Sequence, residues 1–387
     1  MLSLKELNQQ FMNQADHEWA SRTAAAIKDK VAAVSLTVGT GIPYSTVNGR
    51  FDDWSDRIEW WCNGFWGGLL WLMYTETHDE RYLEQARSSE AALDACFRDF
   101  VGMDHDAGFR WLPTAVADYR LTGNDASRRR GLLAATILAG RYNPAGEFIR
   151  AWDGLPTAER NNVGWGIIDC MMNLPILYWA SEETQDPRFR EIAMKHADTV
   201  SWAFVRPDGS CEHIVEFDPF SGEKVTIHGG QGYADGSSWT RGQAWGLYGF
   251  VLSFIHSGKE AYLDTAKRIA HYFIANIPES GHIPVDFRQP AEPAWEDSTA
   301  AAIAACGLIE LARQVPDGER HLYLQAALKL LKALDRDCCC YDRSNDAIVQ
   351  KCTAAYHDKE HEFNIIYGDS YYAEAVLKLT GNDFLIW

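Results

Sequence analysis

The sequence predicts an all-α toroid of six helical hairpins in two concentric rings, and three observations carry that expectation. A short helix–turn–helix signal recurs along the 387 residues, nearly all-apolar segments alternate with one-faced ones, and long loops separate the pairs. The signal is a helix end, a polar turn and an amphipathic start. It reads Thr77-His-Asp-Glu-Arg-Tyr-Leu, Thr122-Gly-Asn-Asp-Ala, Thr184-Gln-Asp-Pro-Arg-Phe, Ser257-Gly-Lys-Glu-Ala-Tyr-Leu, Val315-Pro-Asp-Gly-Glu-Arg and Thr380-Gly-Asn-Asp-Phe. Each marks a joint between two helices.

In chain order, a long loop over Val34 to Trp60 leads into the apolar run Trp66-Gly-Gly-Leu-Leu-Trp-Leu-Met, an inner-ring helix. After the first joint, Arg81 to Phe97 is amphipathic and belongs outside. A second loop, Gly140 to Gly164, precedes the apolar stretch Ile167 to Trp179, which the third joint links to the one-faced Arg188 to Ala203. The loop Arg206 to Trp239 holds two short strand signals, Ile214 to Phe217 and Lys224 to His228, so minor β structure is expected at the loop end. Ala261 to Ile274 is again one-faced, a loop runs from Pro278 to Glu296, and Ala300 to Leu311 is apolar all round. A helix apolar on every side is enclosed, and a one-faced helix covers it. No Pro/Ser-rich linker or charge block divides the chain, so residues 1–387 are expected to form one domain.

Composition narrows the partners. A net charge of -18 repels polyphosphates and anionic lipid, and no Lys/Arg cluster overrides it, so neither nucleic acid nor a membrane is an expected partner. The start, Met-Leu-Ser-Leu-Lys-Glu-Leu, lacks the basic and apolar pattern of a secretory signal, which makes a cytoplasmic location the expectation. Nine cysteines, including the run Cys338-Cys339-Cys340, contain no Cys-x-x-Cys pair; they are read as reduced, mostly buried thiols rather than a zinc site.

Chemistry concentrates in Gln231-Gly-Tyr-Ala-Asp-Gly-Ser-Ser-Trp239-Thr-Arg241-Gly-Gln-Ala-Trp245. Indole faces suit the C–H side of a pyranose, and a guanidinium fork suits a uronic carboxylate. The same segment could equally be a helix start with two core tryptophans. Asp169 sits among apolar neighbours, where desolvation disfavours its charge and a raised pKa fits it for general acid work. Its alternative is a structural Asp bonded to Asn173. Asp106 is either an N-cap, with Asp104 equally eligible, or the second member of an acid/base pair. His213 lies in the loop before Gln231 and could bond a hydroxyl, whereas the histidines at 17, 78, 196, 256, 271 and 321 read as packed or solvated.

Taken with Trp60-Trp61-Cys-Asn63-Gly-Phe-Trp66, Asp104-His-Asp106-Ala-Gly-Phe, Ile168-Asp169-Cys-Met-Met-Asn-Leu-Pro, Asp297-Ser-Thr-Ala-Ala-Ala and Tyr367-Gly-Asp-Ser-Tyr-Tyr, the chain resembles the unsaturated glucuronyl hydrolases, glycoside hydrolase family 88. The resemblance spans nearly the whole chain. It implies an (α/α)6 barrel and action on oligosaccharides left by polysaccharide lyases, whose non-reducing uronic acid carries a C4=C5 double bond. By it, the carboxyl at Asp169 would protonate C4 and then activate the water that adds at C5, with Asp106 alongside. His213, Gln231 and Arg241 would bind the uronate, Trp245, Trp61 and Trp152 would stack on sugar, and His105, Asn63 and Tyr356 would line the cavity. No metal or other cofactor is implied.

Two positions depart from the family pattern. A His commonly precedes the glutamine, but here Gly230 does and the nearest histidine is His228. The loop His357-Asp-Lys-Glu-His-Glu362 is net negative, which favours unsulfated or weakly sulfated disaccharides. Three alternatives stand beside the main expectation: an unsaturated rhamnogalacturonyl hydrolase, a conventional inverting glycosidase, and a non-catalytic sugar-binding protein.

Overall fold

Each joint closes one helix and opens the next by local backbone chemistry. In a computed structural model, which describes residues 2–153 and 162–387, five inner helices end on residues in the left-handed region: His78, Gly123, Gln185, Gly258 and Gly381. Just beyond, Asp79, Asn124 and Asp186 accept from the backbone N–H of Arg81, Ala126 and Arg188 and so cap the following helix. The joint at Val315-Pro316 works differently, with extended backbone and a proline before the next helix.

The inner ring consists of Phe65–Thr77, the run from Ala107–Trp111 through Ala117–Thr122, Pro175–Thr184, Thr240–Ser257, Ser298–Gln314 and Ile366–Thr380. Their neighbours in the ring pack on one another in that order, and Ile366–Thr380 packs back on Phe65–Thr77. Ser298–Gln314 is buried from Ser298 to Ala312, as an enclosed helix must be. Outside them lie Gln14–Val38, Glu80–Ala92, Asp125–Gly140, Pro187–Ala203, Glu260–Ala275 and Asp317–Asp337.

The two rings predicted from the sequence are present, with one correction. Thr380-Gly-Asn-Asp-Phe ends the last inner helix but opens no outer one. The sixth outer helix is Gln14–Val38, which reading from the joints missed; it buries Trp19, Ala20, Thr23, Ala24, Ile27, Val31 and Val34 on one face and packs against Ile366–Thr380. The first long helix and the last therefore close the ring.

Loops gather where the inner helices begin. The strands expected at Ile214–Phe217 and Lys224–His228 form and pair antiparallel, and Trp165–Ile167 adds a third, antiparallel to the first. Part of the loop expected over Gly140 to Gly164, residues 154–161, lies outside the described residues. All nine cysteines are free, with seven buried and Cys339 and Cys340 partly exposed. Among the described residues no helix is long and apolar enough to cross a membrane.

Candidate active site

Asp169 is not in the body of an inner helix. It lies in the 3-10 turn Ile168–Met172, between the strand Trp165–Ile167 and the helix that Pro175 opens. Proline is suited to a first helical position, so the regular helix begins only there and the carboxylate is held at the loop end. Only 9% of the residue is exposed. Burial pushes its carboxyl up to about 7; His105 and Arg241 oppose that shift and Asp106 adds to it.

Asp106 directly precedes the helix Ala107–Trp111, yet its side chain makes no capping bond. The turn is organised by Asp104, whose carboxylate accepts from the Asp106 N–H at 3.0 Å and pairs with Arg110 at 2.7 Å. The adjacent carboxylates are therefore driven apart. Burial and the negative Asp104 raise Asp106 well above the ordinary range, whereas for Asp104 burial, the largest single influence, is outweighed by Arg110, His105 and the hydrogen bonds it accepts together, and the net shift is downward. Asp104, His105 and Asp106 bring ligand atoms within 4.8 Å of one another, with Arg110 supplying positive charge at Asp104.

Asn173 joins the two candidate acids. Its amide nitrogen reaches Asp106 Oδ1 at 3.5 Å and donates to the Asp169 carbonyl at 3.2 Å, while its oxygen accepts from the Phe109 N–H at 2.7 Å. Gly108 permits this approach, since a Cβ there would stand 2.5 Å from Asn173 Cα. His105 Nε2 is 3.2 Å from Asp106 Oδ1, and its Nδ1 meets the Ala151 carbonyl at 2.9 Å.

His213 brings the loop strand to this pair. Its Nε2 lies 3.6 Å from Asp169 Oδ2, and neither atom has a hydrogen-bond partner although both are buried. Burial lowers the His213 pKa to about 3, so the ring is neutral. Its Nδ1 meets the Gly229 carbonyl and the Gln231 N–H, each at 3.0 Å. Gly230, at φ 58°, has no room for a side chain, because a Cβ would fall 2.2 Å from that same Nδ1. At the position that departs from the family pattern, any larger residue would have to displace the His213 ring.

A cavity of about 760 Å³ opens outward from His213, lined by Trp152, Trp165, His213, Ile214, His228 and Gln231 among others. Neither Asp169 nor Asp106 lines it directly; Asp169 lies behind His213. Trp152 meets His105 edge-on at 5.4 Å and Trp165 at 6.2 Å. Gln231 donates to the Ala354 carbonyl at 2.8 Å, and its own carbonyl accepts from the Tyr356 N–H at 2.9 Å, which fixes Tyr356 beside this segment.

Other expected contacts take a different form. Trp245 is fully buried, with Phe109 at 5.1 Å and Tyr371 at 5.5 Å, so it offers no stacking face and belongs to the barrel core. Trp61 is partly exposed and packs on Phe109 and Tyr367. Asn63 is buried and clasps the Arg57 and Ile58 carbonyls at 2.9 and 3.0 Å; its side-chain oxygen is left without a partner. Arg241 is a buried keystone. Its Nη1 pairs with Asp297 at 2.7 Å and donates to the Thr353 carbonyl at 2.7 Å, and its Nη2 donates to the Ala354 carbonyl. The sequence reading missed Asp297 in that role, and it missed Trp165, His228 and Asp235 on the cavity wall. The alternation of the two predicted strands was the signal for His228.

A helical double ring with buried carboxylates behind an aromatic-walled cavity is the architecture of a carbohydrate-active hydrolase. No protein-family model matches the chain. It is 39% identical to the unsaturated glucuronyl hydrolase of Bacillus sp. (strain GL1), over 82% of this chain and 86% of that one. It is 34% identical to the unsaturated chondroitin disaccharide hydrolase of Streptococcus pyogenes serotype M1, over 84% and 82%. The crystal structure of the Bacillus sp. GL1 unsaturated glucuronyl hydrolase superposes with a TM-score of 0.85 at 35% identity, covering 94% of this chain and 96% of that chain. The chain belongs to the unsaturated glucuronyl hydrolases. With that membership stand the expected (α/α)6 barrel, the glycoside hydrolase class and hydrolysis of unsaturated glucuronyl oligosaccharides, and the non-catalytic alternative is set aside.

Proposed function

We propose that Asp169 delivers its proton to C4 of a non-reducing unsaturated glucuronic acid and, as a carboxylate, then takes a proton from the water that adds at C5. Protonating the C4=C5 vinyl ether leaves a cation at C5, shared with the ring oxygen, and the ionised Asp169 opposes that charge at close range. Water supplies the hydroxyl at C5. The hemiketal opens by breaking the bond from C5 to the ring oxygen, and the hemiacetal left at C1 releases the neighbouring sugar. Asp106 helps keep Asp169 protonated, and Asn173 and His105 hold the pair in register.

The observation that carries this is Asp169 Oδ2, buried, without a hydrogen-bond partner and 3.6 Å from a neutral His213. Gln231 and His213 reach the cavity and are assigned to the uronate, with Trp152 stacking on sugar. Arg241, with most of its donors engaged, contributes positive potential and anchors the Thr353 to Tyr356 segment; its field reaches Asp169. Trp61, Asn63 and Tyr356 support this wall. The substrate is an unsaturated disaccharide or short oligosaccharide, unsulfated or weakly sulfated. Residues 1–387 act as one domain, a reading supported by ring closure between the first and last long helices. Free cysteines fit a cytoplasmic setting.

The conjugated C4=C5 carboxylate absorbs in the ultraviolet, and hydration abolishes that absorbance. Wild-type protein is expected to remove it from lyase-generated disaccharides, and Asp169→Asn to bind the same disaccharide without removing it. Near-normal turnover by Asp169→Asn would take the proton donor elsewhere. Cleavage with the double bond intact would favour the inverting glycosidase.

A further inference from the structure

We propose that Trp165, Glu216 and His228, on one face of the three-stranded sheet, select the sugar attached to the uronate and favour one that carries no sulfate. This rests on the uronate assignment above. The register pairs Trp165 with Glu216 and Ile214 with His228, so these four side chains share a face. Trp165, Ile214 and His228 on that face line the cavity.

The three residues hold one another. The His228 ring lies 4.5 Å from the Trp165 indole, inclined by 32°, and its Nε2 is 2.8 Å from Glu216 Oε2. With Nε2 engaged, His228 Nδ1 has no protein partner among the described residues. Trp165 Nε1 is buried and also unpartnered. Seven buried indole N–H groups lack an acceptor among the described residues, and of these only that of Trp165 belongs to a residue lining the cavity. A line of ring contacts runs outward from the carboxylates, from His105 to Trp152, then Trp165, then His228. His228 is thus three ring contacts removed from His105, and the next sugar of a bound disaccharide is assigned to it.

Charge decides what that sugar can be. Glu216 stands behind His228, and Asp235 lines the same cavity while accepting from the Gly229 N–H at 2.6 Å. No Lys or Arg lines the cavity among the described residues. Arg150 comes near through Asn162, at 3.1 Å, but is already paired with Asp153 at 3.2 Å. Among the described residues a sulfate here would meet carboxylates and no free cation, whereas a hydroxyl or an N-acetyl group finds an imidazole nitrogen and an indole N–H.

The test compares unsulfated and 6-sulfated unsaturated chondroitin disaccharides, followed by loss of ultraviolet absorbance. Wild type is expected to prefer the unsulfated one. Glu216→Gln should narrow the kcat/KM preference about tenfold, and His228→Ala should raise KM for the unsulfated disaccharide about tenfold through loss of one hydrogen bond and its stacking. His228→Asn, which keeps a donor and an acceptor, should recover part of that loss. Wild type preferring the sulfated disaccharide, or both Glu216→Gln and His228→Ala leaving KM and preference within about twofold, would overturn the proposal alone. Wild type that hydrates neither these disaccharides nor any other lyase product would overturn the uronate assignment and this one with it.

Discussion

The two ends of the barrel differ in how completely their buried titratable groups are partnered. At the joint end, Lys378 is held between Glu310 and Glu374, Arg313 pairs with Glu310 at 2.9 Å, and Tyr248 and Trp387 donate to Glu374 at 2.5 and 2.9 Å. Every charge there has an opposite within reach. At the loop end, Asp169 Oδ2 and His213 Nε2 are equally buried and left without partners. The loop end also holds a paired charge, Arg241 with Asp297; what sets it apart is a carboxyl oxygen and an imidazole nitrogen that face each other across 3.6 Å with no other partner.

The comparison breaks first at Asp169. Asp169→Asn is expected to lower kcat by a factor on the order of 10³ with little change in disaccharide affinity, as measured by single-turnover kinetics and calorimetry. The complementary change, Lys378→Met, strands two buried carboxylates and should cost about 3–5 kcal/mol in urea unfolding while leaving KM of the folded protein near that of wild type. If Lys378→Met instead altered KM before stability, the joint end would not be purely structural.

Asp169 also sets a pH signature. Its folded pKa of about 7 lies above its ordinary value of 3.8, so the folded state holds a proton the unfolded chain has lost across that interval. Stability contributed by that proton is present at low pH and is lost as pH rises from about 4 to about 7. Unfolding midpoints of Asp169→Asn and wild type should therefore coincide near pH 4 and diverge by pH 8 in favour of the variant. In wild type, kcat/KM should decline about tenfold per pH unit above neutrality as the acid ionises. The smallest effect is expected for Trp152→Ala, which loses one stacking face and should raise KM about fivefold.

Much of the fold was legible because its signals are local. A turn such as Thr-Gly-Asn-Asp announces a helix stop and a cap within a few residues, and period-two runs mark the strands at Ile214–Phe217 and Lys224–His228. The partnership of Gln14–Val38 with Ile366–Thr380 was not legible, since nothing near either segment names the other. The candidate site divides along similar lines. A carboxylate among apolar residues identifies Asp169 without a structure. Whether an indole on an enclosed helix faces a cavity or a core depends on which neighbours surround it, and Trp245 turned inward. Gly230 is a bare departure from the family pattern in one dimension and gives clearance to His213 in three.

Ring closure by the earliest and latest long helices carries a consequence for synthesis. The apolar stripe of Gln14–Val38 leaves the ribosome hundreds of residues before the surface that covers it. Until Ile366–Thr380 emerges, that stripe must be shielded by transient contacts or a chaperone, so ribosome-stalled chains truncated before residue 366 should be the most aggregation-prone form of the protein.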